Sequence, residues 1–200
     1  MGESGADNKT QLTVGLAPEL RAHPERWPFV VLFPQKPHVL DEWEDHEAQL
    51  IALLESAVRD HAADPRRIAI TGISQGGHGA WEIARRHPER FVAVAPICGY
   101  PAAPARGWGN FERKRDWTIE MARASAATLA QTLRAKPVWT AHGDKDPIVP
   151  VEFTDAVVEA LRERGTTPHY RRFNGVSHDA WVRAYGEPAL SNWLRDKFGE

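Results

Sequence analysis

A serine set among glycines, two aspartates in one loop and a histidine in another are the residues whose types and spacing fit chemistry. Ser74 sits in Gly72-Ile73-Ser74-Gln75-Gly76, where an apolar run meets a helical one. A serine hydroxyl is a weak nucleophile until a neighbouring base takes its proton. A sharp strand-to-helix turn would lift it clear of its neighbours, and small residues at Gly72 and Gly76 let such a turn close. The helix that follows offers free N–H groups to a developing oxyanion, and the Gln75 N–H is the first of them. Asp144 and Asp146 lie in "HGDKDPIVP", and His178 lies in "GVSHDAW". The order serine, acid, histidine differs from the orders of the two best-known serine-protease folds. In such a set the histidine takes the serine proton and later gives it to the leaving group, while the carboxylate fixes the imidazole tautomer. Either aspartate fits the acid on this ground, since "GDKDP" is also turn chemistry.

Each of these loops needs an element on either side to hold it. Apolar runs predict strands over 27–35, 68–73, 91–99, 136–143 and 168–175. Helical spacing predicts helices over 45–61, 76–87, 118–135, 150–165 and 187–199. In 45–61, for example, Leu50, Leu54, Ala57 and Val58 repeat on one face. Strands that alternate with helices argue a largely parallel sheet covered on both faces, because parallel strands need crossover connections. Ligands in such sheets bind beyond the carboxyl ends of the strands, which is where Ser74, the Asp144/Asp146 loop and His178 all fall. Residues 1–200 read as one domain, with 100–117 as an irregular loop or small cap within it.

Composition narrows the partners. The 200 residues are 42% hydrophobic and 26% charged, with 25 basic against 27 acidic side chains and a formal charge of −2. That balance argues against nucleic acid and against an anionic membrane surface. A lone cysteine, Cys98 in "FVAVAPICGY", excludes an internal disulfide framework and a cysteine-rich zinc site, and reads as a buried thiol. His23, His38, His46, His61, His78, His87, His142 and His169 are scattered without a spacing such as H-E-x-x-H, so neither a metal nor a cofactor is expected. No run approaches the roughly 18 to 20 apolar residues of a membrane span. "MGESGADNKT" has no apolar core, so the expectation for the chain as given is cytoplasmic, with secretion reserved for a longer form carrying a leader. Eight tryptophans point to an apolar-binding surface; Trp43, Trp108 and Trp181 are the candidate pocket walls, with Phe111 and Trp117 beside them.

"TGISQGGHGAWEIARRHPERFVAVAPICG", "AHGDKDPIVPVEFTDAVVEALRERG" and "GVSHDAWVRAYGEPALSNWL" together resemble the α/β-hydrolase superfamily, in particular its phospholipase/carboxylesterase and dienelactone-hydrolase-like esterases. The resemblance runs from about Trp27 to the C-terminus. It implies a three-layer α/β/α sandwich with a mostly parallel sheet, here lacking its first strands. It assigns the nucleophile to Ser74, the base to His178 and the acid to Asp146, the second aspartate of H-G-x-x-D-x-x-V-P. "MGESGADNKTQL" resembles the tail of an H-G-x-G-E-x-G motif, which puts Met1 where relatives carry the second oxyanion N–H. A lost donor costs roughly 2.7 to 4 kcal/mol, and missing strands leave a sheet edge open to association. The expectation is a serine esterase for small uncharged carboxylic esters, working through an acyl-enzyme, weakened in turnover and prone to self-associate. Thioesters, peptides and a non-catalytic binding role are the alternatives.

Overall fold

The computed structural model describes residues 4–103 and 117–199. Four strands, β1 (Ala69–Ile73), β2 (Ala93–Ile97), β3 (Trp139–Gly143) and β4 (His169–Phe173), form one sheet in the order β1-β2-β3-β4. Every pairing is parallel, with Ile73 opposite Ile97, Ile97 opposite Ala141 and Gly143 opposite Phe173. The register therefore lines up the carboxyl ends of all four strands along one rim.

Side chains alternate across the sheet and build a core on each face. Ala93, Ala95 and Ile97 of β2 face one way, against α1 (Leu16–Ala22), α6 (Ala180–Gly186) and α7 (Pro188–Phe198). Val94 faces the other way, against α3 (Gln75–Arg86), α4 (Ile119–Leu133) and α5 (Val151–Glu163), with Leu50 and Leu54 of α2 (Glu47–Asp60) at the margin. This is the three-layer α/β/α sandwich that the alternation of elements implied. Local signals set several helix ends: the Thr118 hydroxyl accepts the Met121 N–H at the start of α4, and Gly199 takes a left-handed conformation after α7.

The segment 27–35, expected as a strand, is not one. Phe29, Val31 and Phe33 pack against the core while Val30 stays 58% exposed. It joins no ladder, and both this segment and β1 line a cavity of about 910 Å³. Strands must approach to about 4.8 Å to exchange hydrogen bonds. β1 is consequently an edge, and no described residue pairs with its outer side.

Candidate active site

The turn between β1 and α3 is built by close approach. Ser74 adopts φ 53° and ψ −116°, a left-handed backbone that a β-carbon disfavours. It is held there by its own N–H donating to the Ile97 carbonyl at 2.9 Å and its carbonyl accepting the His78 N–H at 3.0 Å. A β-carbon at Gly72 would overlap the Gly76 carbonyl, so the chain can fold back at this point only with glycine there. The elbow thus presents the Ser74 hydroxyl at the carboxyl rim of the sheet.

The histidine and one of the aspartates come to it from the ends of the two strands on the far side. His178 Nε2 lies 2.9 Å from Ser74 Oγ, and its Nδ1 lies 2.7 Å from Asp146 Oδ2. The carboxylate can only accept, so Nδ1 carries the proton and Nε2 is left to accept from the serine hydroxyl. The Asp146 side chain has no solvent exposure. Its Oδ1 accepts the Ile148 and Val149 N–H groups at 2.8 and 2.9 Å. Burial pushes this carboxyl up, but hydrogen bonds from His142 and His178, with that of Val149, outweigh burial and hold it well below the usual carboxylate range. Asp144 faces elsewhere, accepting the Gly175 N–H at 2.7 Å on the exposed side of the same loop. Of the two aspartates the sequence left open, Asp146 meets the histidine and Asp144 closes a turn.

The Gln75 N–H, first in α3, has no acceptor among the described residues, which leaves it free for a developing oxyanion beside Ser74. The Gln75 side chain turns away and donates to the Val39 and Asp41 carbonyls at 3.3 and 3.0 Å. Trp43 and Trp181 both line the cavity that reaches Ser74 and His178, and the Trp181 ring stands edge-on to the His178 ring at 5.4 Å. Trp117 instead packs between Tyr100 and Phe153. Met1, Trp108, Phe111 and most of the 100–117 segment lie outside the described residues.

Two features had no assigned role in the sequence. His142, in the H-G-x-x-D motif, is buried and lies 3.1 Å from Asp146 Oδ2. Glu42, Glu44 and His78 gather under the start of α3: His78 Nε2 is 3.3 Å from Glu44, its Nδ1 is 2.9 Å from the Tyr100 carbonyl, and the Tyr100 hydroxyl donates to Glu42. The His78 ring also stacks on that of Tyr100, at 4.5 Å. Among the described residues two groups have the donor types for a metal ion, Cys98/Asp146/His178 and Glu42/Glu44/His78. In the first the aspartate and histidine are committed to each other, and burial pushes the Cys98 thiol up, which favours its protonated form. In the second, His78 meets Glu44 Oε1 and the Tyr100 hydroxyl donates to Glu42, while the buried Glu44 Oε2 has no partner among the described residues.

Comparison with known proteins gives the family and the fold. The family model described as "Putative esterase" matches residues 21–185. A thermostable esterase of known structure superposes with a TM-score of 0.75 at 25% identity, covering 98% of this chain and 52% of its own. Arabidopsis thaliana SOBER1, at 19% identity and a TM-score of 0.53 over 85% of this chain and 70% of its own, shares the fold. An uncharacterized secreted protein of Arthroderma benhamiae is 29% identical over 133 residues, which are 64% of this chain and 14% of that protein. The chain spans about half the length of the thermostable esterase and a smaller part of the fungal protein. With an α/β-hydrolase fold and a match over most of its length, the chain belongs to the Esterase family.

Proposed function

We propose that this chain is a serine hydrolase of small, uncharged carboxylic esters that works through an acyl-enzyme, with Ser74 as nucleophile, His178 as base and Asp146 as the acid that orients it. The observation that carries the reading is the continuous run from Ser74 Oγ through the His178 ring to Asp146 Oδ2, at 2.9 and 2.7 Å. His178 Nε2 takes the serine proton as Oγ attacks the ester carbonyl, and the Gln75 N–H meets the oxyanion. The imidazolium then protonates the departing alkoxide. Water, deprotonated by the same nitrogen, attacks the acyl-serine ester and regenerates the hydroxyl. The largely apolar cavity beside Ser74, walled in part by Trp43 and Trp181, supports an uncharged acyl or aryl group as substrate.

The reading predicts a burst of p-nitrophenol from p-nitrophenyl acetate, close to one equivalent per active chain, whenever deacylation is slower than acylation. Ser74→Ala should abolish both burst and turnover while leaving the melting temperature near that of the parent, since among the described residues the side chain bonds only His178. Turnover that survives Ser74→Ala in a purified preparation would refute the assignment.

A further inference from the structure

His142 is the single histidine of β3, one residue before its end, and its side chain has no solvent exposure. Its surroundings fix its chemistry. Nε2 lies 3.1 Å from Asp146 Oδ2 and 3.0 Å from the Val149 carbonyl oxygen. Both are acceptors only, so Nε2 must carry a proton whether the ring is neutral or charged. Nδ1 lies 2.7 Å from Thr154 Oγ1. The Thr154 hydroxyl also donates to the Gly99 carbonyl at 3.4 Å, which ties this side of the ring to the loop after β2.

We infer that His142 is a positioning residue for Asp146, its Nε2–H holding Oδ2 in the one orientation that also receives His178 Nδ1. The inference rests on the proposed triad. Asp146 then has four N–H donors: two backbone groups on Oδ1, and one histidine on each side of Oδ2. Four donors match the roughly four lone-pair sites of a carboxylate, so no freedom remains for the group to rotate away from His178. The second histidine also spreads the negative charge that faces the first. The titratable groups facing Asp146 are His142 from β3, His178 from the loop after β4 and Cys98 just beyond β2. The Cys98 thiol, pushed up by burial, contributes no charge.

Two polar variants separate this role from packing. In His142→Gln the amide nitrogen stands near the place of Nε2 and still reaches Asp146. In His142→Asn it stands near the place of Nδ1, reaching Thr154 and not Asp146. With p-nitrophenyl acetate, His142→Asn should lower kcat by about 10- to 100-fold, the usual size for a lost outer partner, with KM changed by less than about threefold. The acid limb of its kcat/KM profile should move to higher pH, because an Asp146 with one donor fewer holds a proton on His178 more firmly. His142→Gln should keep its acid limb beside that of the parent and recover most of kcat. The inference is overturned if His142→Asn leaves kcat and the acid limb unmoved, if its limb moves to lower pH, or if Gln and Asn lose activity alike. Labelling of the parent by a fluorophosphonate separates the levels: a parent that does not label at Ser74 removes the triad itself, whereas a labelling parent with indifferent variants removes only the role of His142.

Discussion

At the residue scale, the chemistry turns on which groups can take or hold a proton. Asp146 is sealed from solvent and accepts from the His178 Nδ1–H, whereas Asp144 serves a neighbouring turn. Asp146→Asn should therefore cost roughly 10³- to 10⁴-fold in kcat/KM, because an amide can present its NH₂ to Nδ1 and stabilise the wrong tautomer. Asp144→Asn should stay within about threefold of the parent; the pair, assayed side by side on one ester, checks the assignment. Equal losses in the two variants would contradict it. The candidate residues were legible in the sequence because Gly72, Gly76 and the H-G-x-x-D spacing announce the turns that carry them. His142 was not, since a histidine inside an apolar strand has the same pattern whether it fills space or holds a carboxylate. Only the fold, which brings β3 and the loop after it together, tells the two apart.

At the scale of elements, the start of α3 is tied down from beneath by Glu42, Glu44, His78 and Tyr100. Burial raises the Glu42 carboxyl above its ordinary range, despite the opposing charge of His78 and a hydrogen bond from Gln75. His78 is raised as well: burial lowers it, but its bond to Glu44 and the charges of Glu44 and Glu42 prevail. A group raised on folding contributes stability that is complete below its unfolded pKa and lost as pH climbs through the folded one. Glu42→Gln cannot ionise, so the variant should lose less melting temperature than the parent between mildly acid and neutral pH. Parallel melting curves for the two proteins would contradict this. Elements themselves were readable where a run of β-formers ended in a glycine loop, as at 68–73 and 136–143. The segment 27–35 is as apolar but joins no ladder, since an apolar run by itself does not show what it will pair with.

At the scale of the whole molecule, the sheet has an outer edge at β1 that none of the described residues covers, beside a cavity of about 910 Å³ and the exposed Val30. Free strand edges template association. We expect concentration-dependent self-association through this edge in sedimentation experiments, weakened by Val30→Lys. A chain that stays monomeric at every concentration would contradict that expectation without touching the chemistry. The central claim is narrower: Ser74 is a nucleophile made reactive by His178 and Asp146. It is tested most directly by treating the active protein with a fluorophosphonate and locating the adduct by peptide mass spectrometry. We expect one adduct, on Ser74, with esterase activity lost in proportion to labelling and no adduct in His178→Ala on the same time scale. Full esterase activity with Ser74 unmodified would contradict it.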